Sequence, residues 1–479
     1  MGVGMRVAPA VVAALLAIGS AANGQAQEVS NFYNIVDPSG ADPWVIRHDD
    51  GRYYLIQSMQ GGIVLRRSPT ITGLSAGEDR LIWRPEPGTA HSKELWAPEI
   101  HRLKGGWYVY VAADDGDNNH HRMYVLENRA DDPFEGTFTF KGKITDPSDK
   151  WAIDGTVLRT GTGDAERLYF VWSGWEGDKN VDQRIYIAPM SDPATISGPR
   201  VELSRPTHDW EKAAGPPTIN EGPEALIHNG RVFLVYSAAG SWSDHYCLGL
   251  LALKPGADPL NASAWTKSPE PVFASANGVV APGHNSFTKS PDGKEDWIVF
   301  HAAKAPGSGW SRSIRAQEFH WGKDGLPVFG APKAADRPIP LPSGEPKRLR
   351  LEAEKARLEG PAKGVADSQS SGRSKLVDLT GPEARATFEV SVAKAGTYVV
   401  AVRYRTEPGP AADRRARNSH RLLVADRPQT TLVYPDSGGG RWSVAYARLR
   451  LLEGSNQIGL APGDGRAEVD CLDVVLDPE

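Results

Sequence analysis

Cysteine is nearly absent: the 479 residues contain two, Cys247 and Cys471. That excludes a disulfide scaffold and predicts two buried free thiols in different domains. Clustered positive charge is also missing. With a formal net charge of −5 and no run of Lys and Arg, the chain offers no footprint for nucleic acid or an anionic membrane, so its partner is expected to be uncharged or weakly charged. No apolar run beyond the first 18 residues could span a bilayer. Helical periodicity is almost absent after Glu28, and no His/Cys spacing matches a zinc site, which argues against catalysis by a transition metal.

The N-terminus carries one charge, Arg6, then the apolar run Val7 to Ile18 and small residues ending in Gly24-Gln25-Ala26. This pattern predicts a signal peptide over 1–26, with cleavage after Ala26 or, as second choice, Ala22. The run is too short for an anchor, so the mature protein is expected to be secreted, extracellular or periplasmic, and monomeric. Its 14 Trp residues often stand beside Gly or Pro. Trp in such loops can serve as a platform for sugars, although core filling is the commoner use.

One layout recurs five times: a polar or acidic cluster followed by an apolar strand. Asp42-Pro43-Trp44 precedes Tyr53, Trp96-Ala97-Pro98-Glu99 precedes Trp107, and Ile153-Asp154-Gly155-Thr156 precedes Leu168. Asn220-Glu221-Gly222-Pro223 precedes Val232, and Gly283-His284-Asn285-Ser286 precedes Trp297. A repeat of about 60 residues holds four short strands, the size of a propeller blade. The chain therefore reads as all-β, with a five-bladed β-propeller over 28–330 whose innermost strands begin near those apolar residues. A large β-sandwich would not explain the constant offset of the clusters. The Pro-rich segment 331–348 reads as a linker or a surface strap. Clean alternation in Ala386–Val392 and Thr397–Tyr404 predicts a jelly-roll β-sandwich over 349–479.

Convergence of the clusters at the propeller axis brings three carboxylates together: Asp42, Asp154 and Glu221. Each alone could be a turn former, a cap or a surface residue; their shared register in three blades favours chemistry. Hydrolysis of a glycosidic bond needs a protonated acid at the leaving oxygen and an ionised carboxylate that activates water or attacks directly. A third carboxylate can keep the acid protonated. His284 should point at the axis, where contact with a central ion or water is possible. Arg315, embedded in an apolar strand, needs a carboxylate partner, and either a structural ion pair or a substrate contact would supply one. Asp114-Asp115-Gly116-Asp117-Asn118 lacks the Glu that completes a calcium loop and reads as a rim loop.

Taken in order, Ala-Asp42-Pro-Trp, Leu-Trp96-Ala-Pro-Glu-Ile, Ala-Ile-Asp154-Gly-Thr, Asn-Glu221-Gly-Pro and Gly-His284-Asn-Ser resemble glycoside hydrolase family 43. The resemblance implies an inverting enzyme with Asp42 as general base, Glu221 as general acid and Asp154 orienting the acid and raising its pKa. It further implies Trp96 walling the sugar subsite, Arg315 contacting substrate or base, and His284 helping to hold a central calcium ion through water. The motifs around Asp154, Trp175 and Trp242 look most like exo-acting α-L-arabinofuranosidases that act on arabinan, and put Trp175 and Trp242 on the substrate side. β-Xylosidases and mixed xylosidase/arabinofuranosidases share the triad and remain an alternative, as does a propeller that only binds polysaccharide. The last domain is similar to family 6 or 35 carbohydrate-binding modules, which implies a structural calcium held by Glu352, Glu354 and Asp470, with Tyr434 and Trp442 as the candidate sugar-binding aromatics.

Overall fold

The computed structural model of the chain describes residues 26–407 and 418–477; the expected signal segment, apart from Ala26, lies outside them. Five antiparallel blades follow one another. Their innermost strands are Trp44–Arg47, Lys93–Leu103, Ala152–Thr160, Thr218–His228 and Val280–Lys289. Each touches the innermost strand of both neighbouring blades, so the five close into a ring. Blades III and IV are also joined by a short parallel pairing of Asp182 and Gln183 with Thr218 and Ile219.

The innermost strands thus lie one element earlier than the sequence suggested. Tyr53–Met59, Gly106–Asp114, Arg167–Gly174, Arg231–Ala238 and Asp296–Ala303 are the second strands. These are covered on both faces and read as continuous apolar runs. In blades II to V the innermost strands carry the polar clusters themselves, and bulges interrupt them, so their pattern does not read as a strand.

The second domain is a sandwich of a seven-stranded and a five-stranded sheet. Its core is built from alternating positions such as Phe388, Val390 and Val392 on one sheet and Tyr398, Val400 and Val402 on the other. The strand Gln27–Val29, whose Glu28 and Val29 were expected to open the propeller, pairs instead with the strand Arg348–Glu352 in the larger sheet. The chain then runs Asn31–Tyr33 against Pro338–Pro340 and clips Asp37 to Ile314 on the third strand of blade V. Segment 331–348 is accordingly a strap, tied down further where Glu345 accepts a hydrogen bond from the Thr72 backbone at 3.1 Å. Cys247 and Cys471 are free and buried. Among the described residues no helix is long and apolar enough to cross a membrane.

Candidate active site

At or just before each innermost strand, a residue adopts left-handed backbone: Asp42 (φ 46°), Ala97 (41°), Asp154 (54°), Gly222 (52°) and His284 (45°). Only one of the five is glycine, and each of the others holds a conformation that costs about 1–3 kcal/mol. In four of the five blades the device is a bulge. Pairing with the second strand breaks between Trp96 and Glu99, Ile153 and Thr156, Glu221 and Glu224, and Gly283 and Asn285. A bulge re-aims side chains out of the ladder, here toward the axis at one end of the ring.

The result is a pocket of about 600 Å³ lined by Asp42, Trp96, Trp151, Asp154, Gln183, Glu221, Trp242, His284, Trp310 and Arg312, among others. Asp42 Oδ1 lies 3.2 Å from His284 Nδ1, 3.2 Å from His301 Nδ1 and 3.3 Å from Arg312 Nη1. Glu221 Oε1 accepts a 2.7 Å hydrogen bond from the Tyr246 hydroxyl. The Gly222 N–H donates to Asp154 Oδ2 at 3.0 Å, so Asp154 holds the backbone that carries Glu221. Asn220, just ahead, is pinned by Glu211 Oε1 at 2.9 Å and by the Ser204 hydroxyl at 2.7 Å. The Tyr246 ring stacks on His301, 5.6 Å between centroids and 9° apart.

These neighbours separate the carboxylates electrostatically. Burial works to raise Asp42, but the His284 charge, the contact with His301 and the Arg312 guanidinium outweigh it and hold the carboxyl well below its usual range. Burial pushes Glu221 up, and the negative charge of Asp42 adds to it. Asp154 is pushed up to about 7, first by burial and then by Glu221 and Asp42. One deprotonated carboxylate therefore faces two that tend to keep a proton, the division that acid–base chemistry requires. His284 resists the lowering that burial imposes, because Asp42, Asp154, Glu221 and Glu99 surround it and raise its pKa.

Asp42, Asp154, Glu221, Trp96, Trp242 and His284 all line the pocket as the sequence predicts; two other expectations do not hold. Arg315 is buried away from it, with Nε and Nη1 unpartnered, and burial lowers its pKa to about 10. The guanidinium at the site is that of Arg312. Both residues belong to the strand Arg312–Trp321, and an odd spacing sends their side chains to opposite faces. Trp175 is buried behind Trp151, stacked on it at 4.6 Å and 8°, and it is Trp151 that reaches the sugar space. Tyr246, His301 and Trp310 were not foreseen. Tyr246 lies within the motif around Trp242, His301 lies two residues before the end of a second strand, and exposed Trp310 follows a Gly-rich turn.

For a central cation the donors fit. Thr156 Oγ1, Thr288 Oγ1 and both side-chain polar atoms of Asn285 are buried on the innermost strands without a protein partner, as groups facing the water shell of an ion would be. For calcium in the sandwich they do not. Glu352 and Asp470 come together with the Cys471 thiol, while Glu354 is not part of that cluster. Calcium takes six to eight oxygens, and Asp470 already pairs with the buried Arg403 guanidinium. Tyr434 and Trp442 are both buried. Trp442 stacks under Arg403, whose guanidinium carbon lies 4.7 Å from the ring, so neither aromatic offers a free face.

The profile of the Glycosyl hydrolases family 43 matches residues 34–327. An extracellular exo-α-(1→5)-L-arabinofuranosidase of Streptomyces avermitilis is 38% identical over 384 residues, covering 76% of this chain and 78% of its own. An α-L-arabinofuranosidase of Humicola insolens is 36% identical over 362 residues, 73% and 72% of the two chains. The crystal structure of an α-L-arabinofuranosidase from Lactobacillus brevis superposes with a TM-score of 0.57 at 36% identity, over 63% of this chain and 96% of that one. An exo-β-1,3-galactanase of Phanerochaete chrysosporium shares the fold over 94% of this chain and all of its own, with a TM-score of 0.54 at 14% identity.

Proposed function

The chain belongs to glycoside hydrolase family 43, and from that premise we propose that it is an extracellular, inverting, exo-acting α-L-arabinofuranosidase that releases arabinose from arabinan or arabino-oligosaccharides. The observation that carries this reading is the convergence of Asp42, Asp154 and Glu221, from three blades, in a recessed pocket where one is held ionised and the others tend to stay protonated. The names of the relatives support the choice of sugar and the location.

In this mechanism Asp42, fixed by Arg312, His301 and His284, takes the proton of a water that attacks the anomeric carbon. Glu221 gives its proton to the departing glycosidic oxygen; the Tyr246 hydroxyl occupies one of its oxygens and leaves the other for that transfer. Asp154 orients Glu221 through Gly222, and once it ionises, near pH 7, its charge opposes loss of the Glu221 proton. Trp96, Trp151, Trp242 and Trp310 supply flat apolar walls for the sugar and its neighbours. His284, Asn285, Thr156 and Thr288 would hold a calcium ion through water, and the ion would supply positive charge to the site.

The test is product analysis on linear arabinan, arabino-oligosaccharides and xylo-oligosaccharides. Arabinose alone from the first two is expected. Xylose would make the enzyme a β-xylosidase, and no hydrolysis at all would leave a polysaccharide-binding propeller. Proton NMR of the first sugar released checks inversion: product with the anomeric configuration of the substrate would refute it.

A further inference from the structure

A second hollow adjoins the pocket. It lies between the sandwich and blades I and II, has a volume of about 420 Å³, and shares Asp42 and Trp96 with the catalytic pocket as common wall. Its size suits one sugar ring with its hydroxyls.

The two sides of this cleft differ chemically. The propeller side has a polar floor: Arg66 pairs with Asp37 at 3.1 Å and grips Asp79 with two further bonds, and Gln57 is buried beside them. The sandwich contributes an apolar side from Val433, Pro435 and Tyr446. Val433 stays 45% exposed although it is aliphatic, because it faces the hollow. Tyr446 fixes the spacing between the domains by donating its hydroxyl to the Ile35 carbonyl at 2.5 Å. A polar floor opposite an apolar wall matches a sugar, which presents hydroxyls at its edge and C–H groups on its face.

Position then limits which sugar it can be. The exposed aromatics at the mouth of the catalytic pocket, Trp242 and Trp310, come from blades IV and V. With the main substrate chain resting on those two rings, the cleft walled by blades I and II is left for a second arm. We propose that the cleft between the sandwich and blades I and II is a second carbohydrate subsite, continuous with the catalytic pocket, which receives a sugar branch carried beside the scissile bond. The proposal rests on the arabinofuranosidase reading. It gives the sandwich a part in substrate choice that needs no binding face of its own.

The experiment compares linear α-1,5-arabinotriose with the same sugar bearing one arabinofuranosyl branch on the unit next to the bond cleaved. Two variants fill the cleft from facing sides, Val433→Trp on the sandwich and Ser58→Trp on blade I, both at exposed positions outside the catalytic set. Each is expected to lower kcat/KM for the branched sugar by about tenfold or more while leaving the linear one within about twofold. Equal effects on both sugars, no effect on either, or a wild-type enzyme that cleaves only the linear sugar would each overturn the subsite. A wild-type enzyme inactive on both would instead overturn the arabinofuranosidase reading, and the subsite with it.

Discussion

At the scale of single residues, the site works by holding like groups at different protonation states. Glu221→Gln and Asp42→Asn should each lower kcat by roughly 10²–10⁴-fold or more with the fold intact, measured by steady-state kinetics alongside circular dichroism. The directions of the shifts fix the pH profile. Because Asp42 lies below the usual carboxylate range, activity should persist to lower pH than an ordinary Asp base would allow. Because Glu221 lies above it, the alkaline limb should appear as the acid loses its proton. Asp154, pushed up to about 7, becomes negative only as the pH rises through that range, so Asp154→Asn removes the charge that then opposes ionisation of Glu221, and the alkaline limb should move to lower pH while kcat falls. An unmoved limb would mean that Asp154 acts through geometry alone.

Secondary elements place these groups, and here the sequence was only half legible. The five polar clusters could be read because each is a contiguous motif at a constant offset. The strands that hold them could not: left-handed residues such as Asp154 and His284 break the alternation that marks a strand. The sequence singles out Arg315 and passes over Arg312 because the facing of a strand cannot be fixed until its register is known. The motif puts Trp175 on the substrate side because a sequence cannot distinguish a ring from the ring stacked behind it. The tight packing at these bulges has its own test. A Cβ on Gly283 would come within 2.3–2.4 Å of the Tyr246 ring. Gly283→Ala should therefore displace Tyr246 from Glu221, lowering kcat more than it raises KM and shifting the alkaline limb; an unchanged profile would release Tyr246 from that role. Trp175→Ala removes the support behind Trp151. It should cost about 3–5 kcal/mol of stability and raise KM, as denaturant titration and kinetics would show.

For the molecule as a whole, the question is what joins propeller and sandwich. Tyr33 lies beneath Arg403 and Arg350, whose guanidinium carbons are 3.9 and 4.9 Å from the ring, and Arg403 in turn neutralises Asp470. A cation fixed in the protein thus stands where the family resemblance placed a calcium ion. Chelation should leave the sandwich's melting temperature unchanged, whereas Arg403→Ala, which strands a buried carboxylate, should cost roughly 3–5 kcal/mol; differential scanning calorimetry with and without EDTA distinguishes the two. This arrangement was not legible beforehand, since Arg403 is one basic residue in an alternating strand and its partner lies far along the chain.

The pairing of Gln27–Val29 with Arg348–Glu352 has a further consequence. A protease that cut the strap between residues 331 and 337 would sever the covalent path between the domains without freeing either, since the fragment carrying the propeller would still own a strand of the sandwich's sheet. The two pieces would separate on a denaturing gel and travel together through a sizing column.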